Sequence, residues 1–407
     1  MRREVLSDGL RVLTFERPDT PLVALKLFLK VGSRHDGAQP GISHFVEHML
    51  FRRDWPGGDS AFRRIEAVGG EINAVTHREY TALQAVVLSR DVARVFQAFR
   101  EALAPLDLTG EGVAQEREIL LHEIGRAGDT QAVVWDLFLQ ALWGEDDPLA
   151  RPVYGTAGSV RAITAEDLRA HFRRYLVPTQ MVLAVAGGIR HDEVVELARR
   201  ELSWPAGEAG GAEGRPLARG AGRLGLDKDL QATHLVVGVE TTGMKDPRRS
   251  AVKVMDIVLG KGAHSRLHGR LREELGVVYQ ATSVAMAYED RGYLCAYTSC
   301  APRHVPMVVE VILDELDRLR RTPIGEEELR DAQAHYEGSL ARHFETVLSL
   351  AGIIGVEELL HRVEPFDESI ARVRRVSAAE IQTVAGELLD LDRVAVAHIG
   401  RTNGSVS

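Results

Sequence analysis

Residues 42–50 read Ile-Ser-His-Phe-Val-Glu-His-Met-Leu, and the interpretation of the chain starts from this stretch. Its apolar residues recur with the spacing of a helix. Side chains three and four positions apart lie on one side of a helix, so His44, Glu47 and His48 would share a face. Two imidazoles at this spacing can bind one metal ion, and the carboxylate can accept a proton from a water molecule. A structural histidine pair is the alternative, although a buried pair would still need a partner.

A catalytic metal site of this kind needs a third ligand from elsewhere in the chain. The best candidate is the segment 116–124, whose apolar residues predict a second helix. Glu116 and Glu123 are seven positions apart and would lie on one face, two turns from each other. One of them could bind the metal while the other orients a ligand. A solvated acidic helix face is the alternative interpretation.

These motifs resemble those of the pitrilysin and mitochondrial-processing-peptidase family of zinc metallopeptidases. The order His-x-x-Glu-His is an inverted zinc-protease motif. Segments 41–51, 69–81 and 116–124 are similar to the active-site helix, the following strand and the downstream glutamate helix of that family. Segments 265–267 and 271–279 resemble its Arg/Tyr segment. The resemblance runs from about Leu10 to Gly400, with each motif in the expected order.

The resemblance implies a zinc-dependent endopeptidase that hydrolyses small or unstructured peptides. His44, His48 and Glu123 would bind one zinc ion per chain, and Glu116 would support a ligand. Glu47 would act as the general base toward a metal-activated water.

Arg272 and Tyr279 are ordinary residues for a helix end and a strand, and their spacing alone does not indicate a function. The resemblance implies that both reach the zinc site, where they bind the peptide backbone and the oxyanion that develops on it. A phenol and a guanidinium are suitable donors for that charge. Because both halves of the site occur in one chain, the resemblance favours a homodimer with composite active sites.

Asn73 lies in a predicted edge strand next to the active-site helix. The resemblance implies that Asn73 and Ala74 bind substrate, by addition of a peptide strand to that edge. A turn or edge residue without a substrate role is the alternative for Asn73. We expect neither His77 nor His122 to be a metal ligand.

The two halves of the chain repeat one order of elements. Strand, helix, helix, strands and helix follow each other from Leu22 to Leu103, and again from Thr233 to Arg320. We predict an α+β fold with two homologous α/β domains, each a mainly antiparallel sheet with helices on one face. The predicted domains are 1–204 and 229–407, joined by a flexible Gly/Ala/Pro-rich linker at 205–228.

The composition of the 407-residue chain is that of a soluble globular protein, with 45% hydrophobic residues. A net charge of −9 argues against binding to nucleic acid or to an anionic membrane. Neither a signal peptide nor a membrane-spanning run is evident. Cys295 and Cys300 are five positions apart in a predicted strand and would point to opposite faces, which disfavours a disulfide between them. These features favour the cytoplasm.

One segment departs from the pattern of that family. Residues 52–59 are predicted to form a Gly/Pro-containing loop beside the zinc helix that could alter substrate choice.

The alternative to a peptidase is a non-catalytic or partner-dependent subunit of a processing-peptidase-like complex. The retained zinc and Arg/Tyr motifs argue against it.

Overall fold

The computed structural model describes residues 1–50, 61–104, 108–126, 130–204, 220 and 222–402. The predicted loop at 52–59 and residues 205–219 and 221 of the predicted linker lie outside the described residues. Two compact units are formed, and neither is continuous in sequence. The first comprises residues 1–125, 152–215 and 341–365, and the second comprises residues 126–151, 216–340 and 366–407.

The first unit is built on a six-stranded sheet in which only β2 and β6 pair in parallel. The strand order across the sheet is β1 (Arg2–Val5), β2 (Arg11–Glu16), β6 (Met181–Gly187), β3 (Leu22–Leu29), β5 (Thr81–Leu88) and β4 (Glu71–Thr76). The central strands β3 and β6 are buried on both faces, which explains their continuous apolar sequences. Strand β4 is an edge strand, as the sequence predicted.

Most helices of the first unit contribute to a core on one face of this sheet. They are α1 (Ile42–Leu50), α2 (Ala61–Glu66), α3 (Val92–Ala102), α4 (Gly110–Arg126), α6 (Ala157–Ala162), α7 (Ala165–Tyr175) and α8 (His191–Glu201). These helices are amphipathic, which explains why they form a layer on the sheet. Their apolar sides share one core with Val23, Leu25 and Leu27 of β3.

The second unit repeats this plan with a five-stranded sheet. Its order is β7 (Arg223–Leu226), β11 (Ala395–Ile399), β8 (Thr233–Thr242), β10 (Arg291–Cys300) and β9 (Val278–Ala287). The helices are α9 (Arg249–Gly260), α10 (Val305–Arg321), α11 (Glu326–His343), α13 (Phe366–Arg375) and α14 (Ala378–Leu388), with a π-helical segment at His268–Glu274. Strand β9 is the counterpart of β4 at the edge of its sheet.

The second face of each sheet is covered by one helix from the other half of the sequence. Helix α12 (Val347–Leu360) packs on β3 and β6 of the first unit. Gly355 permits this close approach, because a Cβ there would overlap the ring of Phe28. Helix α5 (Thr130–Trp143) packs on β8 and β11 of the second unit. The N-terminal half of the sequence thus supplies α5 to the second unit, and the C-terminal half supplies α12 to the first unit.

The predicted fold class, α+β with two mainly antiparallel sheets, is confirmed. The expectation of helices on one face is incomplete, since α5 and α12 cover the opposite faces. Residues 223–226, within the range 205–228 predicted as linker, form strand β7. The division into domains 1–204 and 229–407 stays a prediction, and the compact units differ from it by the two exchanged helices.

Cys295 and Cys300 are both free and buried. Their side chains belong to different cores on the two faces of the second sheet. None of the helices in the described part of the chain combines the length and the hydrophobicity needed to cross a bilayer.

Candidate metal centre

Helix α1 begins at a tight turn that Asp36 fixes. The carboxylate of Asp36 accepts hydrogen bonds from the backbone N–H of Gly41 at 2.6 Å and of Ser43 at 3.1 Å. It thereby satisfies donors that the start of a helix leaves unpaired. Gly41 has φ +93°, and a Cβ there would lie 2.7 Å from the carbonyl oxygen of Tyr154, so only glycine fits.

A Ser/His/Asp cluster also lies at this helix start, but it is structural. The Ser43 hydroxyl donates to Asp36 Oδ1 at 2.6 Å, and His171 Nε2 lies 3.0 Å from Ser43 Oγ. Burial, followed by the charges of His35 and Arg174, lowers the pKa of His171 to about 3, so the ring is neutral at pH 7. Since Ser43 is buried and its proton is directed at the carboxylate, it is not placed as a nucleophile.

The histidines of α1 lie close to two glutamates of α4. His48 Nε2 lies 3.5 Å from Glu123 Oε2, and His44 Nε2 lies 4.0 Å from the same oxygen. The other ring nitrogen of His48 lies 3.3 Å from Glu116 Oε2. Sequence spacing left the roles of the two glutamates open. The geometry separates them, because Glu123 faces both imidazoles and Glu116 faces only the far side of His48.

This arrangement fits a zinc ion. One ligand atom each from His44, His48 and Glu123 lies within 4.8 Å of the others, in the only such group found among the described residues. Zinc binds imidazole nitrogen and carboxylate oxygen at about 2.0–2.2 Å, so two of its ligand atoms lie at most about 4 Å apart. The His48–Glu123 and His44–Glu123 distances already meet this limit. Two imidazoles and one carboxylate are also a ligand set that catalytic zinc uses.

The two imidazoles differ in their surroundings. Burial, assisted by the nearby His48, lowers the pKa of His44 to about 4, so His44 is in the neutral form that binds metals. Burial also disfavours protonation of His48. The hydrogen bond with Glu116 and the charges of Glu47 and Glu123 outweigh burial, and the pKa of His48 is raised. Glu116 thus orients His48, whereas His44 Nδ1 is buried without a hydrogen-bond partner among the described residues.

Glu47 is held between α1 and the edge strand. Thr76, the last residue of β4, donates its hydroxyl to Glu47 Oε2 at 2.7 Å. Burial raises the pKa of Glu47, and the hydrogen bonds from Thr76 oppose that rise. A buried carboxylate beside this group of ligands is placed to accept and return a proton.

Asn73 and Ala74 lie in β4, beside α1. Asn73 is exposed, and its side-chain oxygen accepts a hydrogen bond from the backbone N–H of Ala74 at 2.9 Å. The edge position leaves one side of the β4 backbone without a strand partner among the described residues. His77 stacks near Tyr80 with ring centroids 4.5 Å apart, and His122 is exposed. Neither histidine belongs to the metal-binding group.

Arg272 and Tyr279 lie in the second unit. Arg272 is in the π-helical segment and Tyr279 is the second residue of β9. The guanidinium carbon lies 5.1 Å from the centroid of the tyrosine ring, a cation–π contact. Tyr279 is 81% exposed, although large aromatic residues are usually more buried. The structure thus brings the two residues together, and their role at the metal site stays a prediction.

Sequence reasoning missed two residues that build this centre, Asp36 and Thr76. Thr76 was within the compared segment 69–81 without an assigned role. Strand alternation places it on the same face as Ala74, toward α1, which is a usable signal. Asp36 lies well before the helix it caps, at a distance where no capping pattern applies.

Models of known protein families match two adjoining stretches of the chain. Residues 11–157, which include all the metal-centre residues, match a model described as insulinase, peptidase family M16. Residues 162–336, which include Arg272 and Tyr279, match a model described as the peptidase M16 inactive domain.

Relatives and solved structures agree with these matches. An uncharacterized zinc protease of Streptomyces coelicolor is 32% identical over 402 residues, covering 96% of this chain and 87% of that protein. A putative M16-like peptidase from Alicyclobacillus acidocaldarius has a similar fold, with a TM-score of 0.89, 22% identity and 98% coverage of both chains. A structure from Pseudomonas fluorescens, described as a peptidase M16 inactive domain, gives a TM-score of 0.89 at 18% identity, with 99% of this chain and 98% of that chain covered.

Proposed function

Since the chain belongs to peptidase family M16, we propose that it is a zinc-dependent endopeptidase acting on small or unstructured peptides. The observation that carries this proposal is the grouping of His44, His48 and Glu123 beside the buried carboxylate of Glu47. The relatives named as zinc proteases support the metal and the reaction class.

The ligands His44, His48 and Glu123 would hold one zinc ion, with Glu116 fixing the ring of His48. Zinc in such a site polarises a carbonyl and lowers the pKa of a water ligand to about 7. Glu47 accepts the proton of the attacking water and delivers it to the leaving amine.

The substrate would bind to the open edge of β4 as an added strand. Main-chain hydrogen bonds along such an edge are independent of sequence and require an extended peptide. That requirement selects unfolded or short substrates over folded proteins. Asn73 and Ala74, at the middle of this edge, would lie against the substrate backbone.

We further propose a homodimer in which Arg272 and Tyr279 of a second chain complete each site. The support is their mutual contact and the exposure of the tyrosine. Mixed dimers test this arrangement. Chains carrying Glu47→Gln and chains carrying Tyr279→Phe, each inactive alone, should regain hydrolysis when mixed, because one site of each mixed dimer is then intact. A mixture that stays inactive, despite subunit exchange shown by differently tagged chains, contradicts it.

We also propose that the protein works in the cytoplasm, where buried free cysteines stay reduced. Cell fractionation with an antibody against the native chain tests this assignment. Recovery in the membrane or extracellular fraction would contradict it.

The decisive experiment for the proposed function compares Glu47→Gln with His44→Ala. Glu47→Gln should keep one zinc per chain and lose hydrolysis of an unstructured peptide library by at least about 100-fold, since a positioned base contributes about 10²–10⁴. His44→Ala should lose both zinc and hydrolysis. Normal turnover by Glu47→Gln would refute the role of Glu47. A zinc-loaded wild-type chain that cleaves no peptide would favour the non-catalytic subunit.

A further inference from the structure

The contact between Thr76 and Glu47 fixes the proposed general base from outside its own helix. Thr76 is buried, and its hydroxyl donates to Glu47 Oε2 at 2.7 Å. A β-branched side chain in a strand has few accessible rotamers, so this donor has a well-defined direction. Glu47, by contrast, has a long side chain that α1 alone would leave free to rotate.

The second unit contains the same kind of contact without the metal ligands. The hydroxyl of Ser283 in β9 lies 2.6 Å from two acceptors of Asp256 in α9, the carboxylate oxygen Oδ1 and the backbone carbonyl oxygen. Thr76 and Ser283 are each the sixth residue of an edge strand, and both are buried. Among the described residues of the second unit, no group of histidines, cysteines and carboxylates could hold a metal. A hydroxyl–carboxylate contact between helix and edge strand therefore occurs with and without a metal centre.

Comparing these two contacts distinguishes a structural role of the hydroxyl donor from a role in positioning a carboxylate. Both hydrogen bonds join a helix to an edge strand, and either would contribute to stability. Only in the first unit does the carboxylate also face a metal-binding group, His44, His48 and Glu123. A merely structural role would make the two hydroxyls equivalent, whereas a positioning role would distinguish Thr76.

We propose that Thr76 is a positioning residue that holds the Glu47 carboxylate in the orientation required for proton transfer. This inference rests on the proposed peptidase function and deepens it. The residue acts through Glu47 and has no contact of its own with the bond that breaks. Its loss therefore lowers kcat and leaves substrate binding unchanged.

The test uses the zinc-loaded full-length chain with the variants Thr76→Val, Thr76→Ser and Ser283→Ala. Thr76→Val keeps the shape of the side chain and removes the hydroxyl donor, while the hydrogen bond from the backbone of Thr76 to Glu47 remains. We expect kcat on a peptide cleaved by the wild type to fall on the order of 10- to 100-fold, the range for a misplaced catalytic group. KM and zinc content should stay within about twofold of the wild type. Thr76→Ser, which keeps the hydroxyl, should recover most of kcat.

Ser283→Ala is the matched control, because it removes the corresponding hydroxyl from the second unit. It should lower the unfolding temperature by an amount similar to Thr76→Val while kcat stays within about twofold of the wild type. An equal loss of kcat in Ser283→Ala would show that Thr76 acts only through general stability, and would overturn the proposal.

A second readout does not depend on turnover. In the Glu47→Gln background, Thr76→Val should leave the affinity for an uncleaved fluorescent peptide unchanged, because Thr76 does not contact substrate. A tenfold weaker affinity, or a Thr76→Val single variant with wild-type kcat and full zinc, would overturn the inference while leaving the peptidase function intact. If wild-type and all variants cleave no peptide, both fall together.

Discussion

The two units present the same helix and edge strand, and they differ in what surrounds the helix carboxylate. In the first unit, Glu47 is followed directly by His48 and lies beside the candidate metal-binding group of His44, His48 and Glu123. In the second unit, Asp256 is followed by Ile257, and its nearest cation is Lys261, whose Nζ lies 3.7 Å from Asp256 Oδ2. Burial raises the pKa of both carboxylates. The fold thus supplies a buried acid twice, and a few neighbouring side chains decide whether it faces a metal-binding group.

The space next to each acid differs as well. Beside Ile257, the second unit has an open cleft of about 810 Å³ between residues 257–265 and helix α11. In the first unit, the face of α1 that carries His44 and His48 meets Glu123 of α4 instead.

The largest expected effect concerns the exchanged helices. In the second unit, buried Arg291 pairs with Asp147, just after α5, at 2.8 Å and lies over Trp143 at 4.7 Å. Arg291→Leu should reduce the free energy of unfolding by about 3–5 kcal/mol, because it takes the guanidinium away from the buried carboxylate of Asp147 and from Glu240. In the first unit, Arg3 pairs with Glu358 of α12 at 3.0 Å but is half exposed.

Arg3→Ala is the comparison, with a smaller expected loss, because Arg3 is half exposed and Arg11 Nη1 still lies 3.9 Å from Glu358 Oε1. Urea unfolding of both variants checks the pair. Equal losses would contradict the different burial of the two arginines.

The next effect concerns Glu116, which contacts the imidazole of His48 in the first unit. Glu116→Gln should weaken zinc binding by about 10- to 100-fold, the usual result of losing a carboxylate that orients a metal-bound histidine. Competition with a chelator measures the affinity. Glu118→Gln, on the same helix and outside the metal-binding group, should leave zinc binding unchanged. Equal affinities of the wild type and Glu116→Gln would mean that Glu116 does not orient His48.

The smallest effect is a difference in acid sensitivity between the starts of α1 and α9. The pKa of His171 is about 3 in the folded protein, against 6.5 for an ordinary histidine. Below pH 6.5 the unfolded chain therefore binds more protons than the folded protein, and the free energy of unfolding decreases as the pH is lowered. At pH 5, this group alone accounts for a decrease of about 2 kcal/mol. At the start of α9, a hydrogen bond from Arg248 lowers the pKa of Asp246, so this contact persists until more acidic pH.

Urea unfolding of the zinc-free protein at pH 7 and pH 5 tests this difference. His171→Gln, which can still donate to Ser43, should show a weaker pH dependence than the wild type. Identical pH dependence of the two would contradict the assignment.

The sequence predicted the elements well where the local pattern was sufficient. Helix α1 has the predicted bounds of Ile42–Leu50, and α3, α9 and α10 follow the predicted order. The histidine pair and its glutamate follow from helical spacing alone. The choice of Glu123 over Glu116 needed the family resemblance, because a seven-residue spacing gives a shared face and not a distance.

Contacts between elements that are distant in sequence could not be predicted from the local sequence pattern. The sequence of α12 is apolar on nearly all sides, which indicates a buried helix but not the sheet that it covers. Likewise, strand alternation places Thr76 toward the helices, but not within hydrogen-bonding distance of Glu47. These contacts depend on the packing of both sheet faces, for which local sequence has no signal.

The central claim is that one unit binds zinc and the other does not. Anomalous diffraction at the zinc edge, from crystals of the zinc-loaded protein, tests it directly. We expect one strong peak per chain, about 2.0–2.2 Å from a ring nitrogen of His44, a ring nitrogen of His48 and a carboxylate oxygen of Glu123. A peak in the cleft beside Ile257, or full zinc content without a peak at these three residues, would contradict it.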